Sequence, residues 1–424
     1  MPGTSRIPGF YKLTVEQRRE RVREICGLDE QDLAALAPGG LPMNIADSMI
    51  ENVIGTMEIP VGIATNFLIN GKEYLVPMAT EETSVVAAAS NAARIAREGG
   101  GFRVTYTGSY MIGQVQILGV ADLHAARLKL LESKPELLGL ANQVDPMLVR
   151  LGGGAVDLEP RVVDSPAGKM LVAHLVVKTQ DAMGANAVNS MAEALGPVMA
   201  EMAGGRVNLR IISNLADKRL VMARTSIPAE ALGGEQVVDS IITAYAFAAT
   251  DPYRAATHNK GIMNGITAVV LATGNDTRAV EAGAHAYAAR GGKYSSLTTW
   301  EKDSNGNLSG TLELPLAVGL IGGATKVHPA ARAALKILGV ESAAELAQVM
   351  GAVGLAQNLA ALKALATEGI QRGHMSLHAK NIAIMAGASG DLVDRVAARL
   401  VEEGRIRLER AMEILSELGG GKVS

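Results

Sequence analysis

Residues 169–212 read KMLVAHLVVKTQDAMGANAVNSMAEALGPVMAEMAGGRVNLRII, and the order of elements they encode decides the fold. Lys169–Val177 reads as a strand, Ala187–Met202 as a helix and Val207–Ile212 as a second strand. Upstream, Gln114–Leu118 reads as a strand, Ala121–Leu138 as a helix and Ala155–Val163 as another strand. The resulting order, β-α-β-β-α-β, is the split pattern of a ferredoxin-like unit. Such a unit, expected over 109–215, brings its two ends together, as an inserted domain requires.

The flanking sequence has a different texture. Leu13–Leu36 reads as helical, and a glycine- and proline-rich turn follows at Pro38–Pro42. Thr65–Ile69 and Glu73–Pro77 flank Asn70-Gly71, the strongest short-range hairpin signal. Thr83–Glu98 is an alanine-rich helix ended by three glycines. Beyond 216, the reading gives helix Gly234–Ala248, strand Ala268–Ala272, helix Arg278–Ala289, a hairpin around Asp303–Gly306, and helices after His328. From Gly373 two helices rich in Arg and Glu are expected. The architecture is therefore α+β. A large mixed helix and sheet domain (1–108 and 216–372) holds the inserted unit at 109–215, and a C-terminal helical flap covers 373–424.

Composition narrows the function. The chain has 424 residues, 48% of them hydrophobic, which suffices for two cores. A net charge of −3 and 3% aromatics argue against nucleic-acid binding, which needs basic faces and stacking rings. The single cysteine, Cys26, excludes an internal disulfide and a cysteine-based zinc site. No secretory signal precedes Thr14, and the apolar stretch Leu314–Thr325 is too short and glycine-broken to span a bilayer. A cytoplasmic protein without a membrane partner is expected.

Several residues stand out against this background. Lys260 is a lone lysine in Thr257-His258-Asn259-Lys260-Gly261, a stretch apolar enough to be buried. A buried lysine calls for a carboxylate or an anionic substrate. Asp276 follows in Gly274-Asn275-Asp276 at an apparent strand-to-helix junction, where a helix cap and a catalytic group are equally supported. Glu81-Glu82 precede the alanine-rich helix; dipole pairing accounts for one, and a carboxyl beside an apolar helix can instead donate a proton. His374 and His378 share a helix face after Gly373, with no carboxylate or cysteine spaced to complete a metal site. A structural histidine and a general acid on a flap are both open there. Asp181-Ala182-Met183-Gly184-Ala185-Asn186 joins a strand to a helix through small residues whose amides can hold a pyrophosphate. Gly319–Thr325 is a second such turn, read equally as close packing or ligand contact.

Jointly, these segments resemble class II hydroxymethylglutaryl-CoA reductase, the bacterial and archaeal form without a membrane domain. The resemblance runs from about Arg6 to the C-terminal helices. It rests on Glu51–Gly55, Asp181–Asn186, Asp251–Lys260, Gly274–Asp276 and Gly373–Met375, in that order. It implies a catalytic set of Glu82, Lys260, Asp276 and His374, with Asp276 hydrogen-bonded to Lys260 and near Glu82, and substrate contacts at Ser84, Arg254 and Asn264. It places the cofactor turn, with Asp181, Met183, Gly184, Ala185 and Asn186, in the inserted unit, and a dimer signature at Glu51–Gly55. The implied reaction interconverts 3-hydroxy-3-methylglutaryl-CoA with mevalonate and CoA by two hydride transfers, in a homodimer or an oligomer of dimers. Asp145 looks like the aspartate that accepts from an adenosine ribose 2′-hydroxyl, so NAD(H) and mevalonate breakdown are expected, with an NADPH-dependent biosynthetic form as the alternative. Two other classes compete. A CoA-dependent aldehyde dehydrogenase would need a cysteine nucleophile, and a non-catalytic CoA or nucleotide binder would leave Lys260, Asp276 and Glu82 without a task.

Overall fold

The computed structural model describes residues 4–367 and 370–418, with the side chains of 370–377 outside the described set. Helix α1 (Val15–Cys26) starts on a Thr14–Gln17 capping box and stops at Gly27, whose φ of 64° is left-handed. A second cap at Asp29 opens α2 (Glu30–Ala35), so the helical reading of 13–36 resolves into two pieces. After α3 (Met43–Met49) come β1 (Val61–Ile69) and β2 (Lys72–Ala79). Asn70 and Gly71 join them with φ of 51° and 83°, the positive values a tight hairpin turn demands. Helix α4 (Val85–Ala96) then packs on the hairpin.

Strand β3 (Arg103–Tyr106) leads into β4 (Tyr110–Leu118). The expected helix 121–138 is instead α5 (Leu123–Glu132) and α6 (Lys134–Val144). Pro135, at the start of α6, has no amide to continue the α5 ladder. After α7 (Pro146–Arg150) follow β5 (Gly154–Val163), β6 (Met170–Lys178), α8 (Ala185–Met202) and β7 (Arg206–Ser213). The four strands pair antiparallel in the order β5-β6-β4-β7, the ferredoxin-like arrangement. Their inner face and α8 bury a cluster of their own, including Met111, Leu175, Val188 and Leu195.

Strand β8 (Leu220–Ile227) alternates buried and exposed side chains over its whole length. The short α9 (Ala229–Leu232) and α10 (Glu235–Thr250) lead to α11 (Pro252–Ala272), a helix of 21 residues. The strand expected at Ala268–Ala272 is the last turn of α11. Asp251 caps its start and Pro252 occupies its first position. Burial of the Ala-Val-Val run on the core then outweighs β-propensity. Helix α12 (Thr277–Ala288), the hairpin β9 (Thr298–Lys302) and β10 (Leu308–Pro315), α13 (Gly323–Val327) and α14 (Pro329–Leu338) come next. The sheet order is β3-β8-β10-β9, all antiparallel.

Helix α15 (Ala343–Ala366) runs through the main core against α4, α10, α11 and this sheet. It is the one described helix long and apolar enough to cross a bilayer, and it is mostly buried inside the protein. Its uncharged run over 346–362 is longer than Leu314–Thr325. Small residues let it sit close to its neighbours: a Cβ on Gly351 would lie 2.4 Å from Val221 Cγ1. That packing explains a core almost without aromatic rings. The C-terminal segment has three helices rather than two, α16 (Ile370–Met385), α17 (Asp391–Glu402) and α18 (Leu408–Glu417). Residues 379–418 bury a cluster that shares no member with the main core.

Candidate active site

Helix α11 sorts its residues by face. His258 and Asn259 point inward and are almost fully buried. His258 Nε2 sits 2.7 Å from Thr298 Oγ1 and 2.9 Å from Ser296 Oγ, and burial pushes its pKa down to about 3, so the ring is neutral. Asn259 Nδ2 donates to the Ser295 carbonyl and its Oδ1 accepts from the Leu297 amide. These two motif residues lash α11 to the β9 approach.

Lys260, one step further round the helix, emerges on the opposite side. Contrary to the sequence reading it is not buried: 59% of its side chain is exposed. Its Nζ donates to Glu82 Oε2 at 2.7 Å, joining α11 to the loop after β2. An ion pair this open stabilises the fold by about 0–1 kcal/mol, so stability does not explain it.

Ser84, two residues beyond Glu82, precedes α4 with φ of 74°, a conformation that costs a non-glycine residue about 1–3 kcal/mol. Its hydroxyl does not cap the helix, and it is buried without a hydrogen-bond partner among the described residues. Asn264 lies one helical turn beyond Lys260 on the same face, half-buried. Arg254 is half-buried in the first turn of α11. Burial holds its pKa below the ordinary arginine value, and no carboxylate pairs with it among the described residues. Strain at Ser84 and unspent polar groups beside a lysine–carboxylate pair are what a site awaiting a polar ligand looks like.

Asp276 is placed differently from expectation. No hydrogen bond joins it to Lys260. Its Oδ1 accepts from the Arg278 and Ala279 amides, capping α12, and from Arg278 Nε at 3.3 Å. Burial raises its pKa, but the Ala279 amide and Arg278 outweigh that and leave the carboxyl below its ordinary value. The junction it occupies is helix-to-helix, so its cap role follows from α11 continuing to Ala272. Asn275 beside it accepts from the Gly319 amide at 2.8 Å. Position 374 falls within α16, and the His374 side chain lies outside the described residues.

The turn Asp181–Asn186 opens α8. Gly184 has φ of 99°, and a Cβ there would lie 2.3 Å from Thr179 Cγ2, so only glycine fits. With no side chain at the cap, the first-turn amides of α8 have no side-chain acceptor. The Asp181 carboxylate accepts from the Ala343 amide at the start of α15, and its carbonyl accepts from Leu320. Gly319 packs directly on Met183 N, so this second turn is close packing against the first. Asp145 caps α7 through the Leu148 amide at 2.9 Å. The carbonyl of Leu151, just past α7, takes Gln180 Nε2 at 2.7 Å, bringing the Asp145 helix beside the turn.

Sequence reading missed Arg219, which is fully buried and hydrogen-bonds the carbonyls of this turn. Lys218-Arg219 reads as an ordinary basic turn, and no local signal marks it. Cys26 is half-buried and burial pushes its thiol up to about 11, which removes it as a nucleophile. A cavity of 1410 Å³ opens between the N-terminal segment, the α4 face bearing Ser90 and Arg94, and the Gly274-Asn275 turn. Its lining reaches the residue beside Asp276 without including Glu82 or Lys260.

Residues 14–379 match the family described as hydroxymethylglutaryl-coenzyme A reductase. A 3-hydroxy-3-methylglutaryl-coenzyme A reductase of Archaeoglobus fulgidus is 61% identical over 415 residues, covering 98% of this chain and 95% of that one. A solved 3-hydroxy-3-methylglutaryl-coenzyme A reductase from Streptococcus pneumoniae superposes with a TM-score of 0.83 at 43% identity, covering 97% of this chain and 99% of that one. A class II reductase of the same organism, bound to NADPH in open conformations, matches with a TM-score of 0.82 at 43% identity over 85% of this chain and 99% of that one. Fold and family together define an oxidoreductase. The chain belongs to the hydroxymethylglutaryl-coenzyme A reductase family, class II.

Proposed function

We propose that this reductase works through Lys260, Glu82, Asp276 and His374, prefers NAD(H), and runs in the cytoplasm toward mevalonate breakdown. The Lys260–Glu82 contact at 2.7 Å, made across two elements with little return in stability, carries the reading. The uncapped start of α8, with a glycine no other residue can replace, fits a dinucleotide pyrophosphate. Two nicotinamide cofactors, bound one after the other, each supply one hydride. Lys260 holds the oxyanion formed at the thioester carbonyl. Glu82 donates the proton as the aldehyde is reduced, and Asp276, a carboxylate kept ionised, tunes the charge balance of both. His374 protonates the departing CoA thiolate, which would otherwise add back. Ser84, Arg254 and Asn264 hold the acyl group, and the arginine-bearing cavity has room for the CoA arm. In this reading, residues 109–215 form the cofactor domain within 1–108 and 216–372, and 373–424 form the flap.

Two chains complete the site. The extended segment after α3 exposes Ile54 fully and Met57 to 85%, an apolar surface that suits a subunit contact. Ile54→Glu is expected to yield monomers in sedimentation and to lose turnover; a fully active monomer would contradict the shared site.

Asp145 supports NAD(H), because one of its oxygens caps α7 and the other is left for a ribose hydroxyl and repels a 2′-phosphate. The NADPH bound to the pneumococcal relative favours the second reading, an NADPH-dependent biosynthetic enzyme. Steady-state kinetics with both cofactors decides between them. A KM for NADH well below that for NADPH, with the gap narrowed about tenfold or more in Asp145→Ala, is expected. A lower KM for NADPH in the unaltered enzyme would reverse the assignment.

A further inference from the structure

Arg219 immediately precedes β8, with its side chain fully buried. Nη1 donates to Thr179 Oγ1 at 3.1 Å and to the carbonyls of Ala182 and Met183 at 3.2 Å each, and Nη2 donates to the Val318 carbonyl. Its backbone is fixed as well, since the Leu316 amide donates to the Arg219 carbonyl. No carboxylate pairs with it among the described residues. Asp181 lies close enough for its carboxylate to act on the Arg219 charge, but it makes no direct ion pair and spends Oδ1 on the Ala343 amide.

A buried charge without a counter-ion is costly, and carbonyl dipoles offset only part of that cost. Two consequences follow from where those carbonyls lie. In a trans peptide the C=O and N–H point to opposite edges, so fixing the Met183 carbonyl on the guanidinium aims the Gly184 N–H away from it. The positive charge also sits directly behind the start of α8, whose backbone dipole is positive at the same end. Both effects favour an anion in front of the turn, and without one the two positive ends repel.

We propose that Arg219 is a positioning residue for the cofactor pyrophosphate, holding the Asp181–Asn186 turn in its anion-receiving conformation and supplying an only partly compensated positive charge behind it. The proposal rests on the reading of that turn as the cofactor site. The Arg219 side chain bonds none of the residues assigned to the acyl group, so its effect is confined to one substrate. Arg219→Met raises the KM for the nicotinamide cofactor about tenfold to a hundredfold, with the KM for hydroxymethylglutaryl-CoA held within about twofold. Arg219→Lys keeps the charge but not the fork, and recovers most of that loss. Ala185→Asp tests the site itself, because an acid is welcome at a helix start yet occupies the place of the phosphates.

The experiment measures both KM values and the melting temperature for the three variants in the full-length enzyme. A selective cofactor defect in Arg219→Met, softened in Arg219→Lys, supports the role. Should Arg219→Met not fold, a cofactor-selective rise of about threefold to tenfold in Arg219→Lys carries the same weight. Equal rises in both KM values mark a merely structural arginine and overturn the proposal. An unchanged cofactor KM in Arg219→Met beside a raised one in Ala185→Asp overturns it while sparing the site. No change in either variant removes the site as well.

Discussion

Lys260→Ala should lower turnover by about three orders of magnitude or more while leaving the melting temperature within a few degrees of the unaltered enzyme. The two halves of this expectation have separate origins. The side chain is 59% exposed and its one partner is Glu82, so its removal costs the fold about 0–1 kcal/mol. Catalysis loses far more, because a negative charge develops on the thioester oxygen only in the transition state, and a pre-placed ammonium is worth most there. The KM for hydroxymethylglutaryl-CoA should change much less than kcat. Lys260→Arg retains the charge in a broader, planar group and should recover only part of the rate. Activity near that of the unaltered enzyme in Lys260→Ala would remove the mechanism.

Ending the chain at residue 372 should abolish thioester reduction and leave a folded protein. The C-terminal helices bury residues such as Ala383, Val396, Leu400 and Ile414 among themselves, and among the described residues the main cluster takes none from beyond Ala366. Deleting them therefore opens no cavity in the remaining core. Loss of turnover follows if His374 delivers the proton to the CoA thiolate. The point variant His374→Ala separates the steps: it should lose thioester reduction, yet still reduce free mevaldehyde, where no thiolate departs. Retained thioester reduction in the truncated chain would refute the role given to His374.

The fold was legible where patterns are local. The strand and helix order over 109–215 needed only periodicity and turn residues, and the Asn70-Gly71 hairpin announced itself. The errors came where burial outweighs local preference. Ala268-Val269-Val270 looks like a strand in isolation, but a capped start at Asp251 seventeen residues earlier and a core on several sides make it helix. That one misreading also misplaced Asp276, which sits between two helices. Strand β8 did carry an alternating signal and was overlooked.

The site was legible as a set of residue types in order, and less so as geometry. Lys260 looked suspicious because its neighbours are apolar, yet helical phase sends His258 and Asn259 inward and Lys260 out. Its bonded partner is Glu82 rather than Asp276. Arg219 could not be read at all. Its importance lies in carbonyls contributed by residues about 36 and 99 positions away, and backbone oxygens leave no trace in sequence.

The most direct test of the central claim is stoichiometric. With mevalonate limiting and CoA and oxidised cofactor in excess, absorbance at the nicotinamide band should rise by two reduced cofactors per mevalonate consumed, and only when CoA is present. A four-electron oxidation requires both, since each hydride carries two electrons and the aldehyde intermediate must add the CoA thiol before the second hydride leaves. One reduced cofactor per mevalonate, or a rise without CoA, would contradict the account.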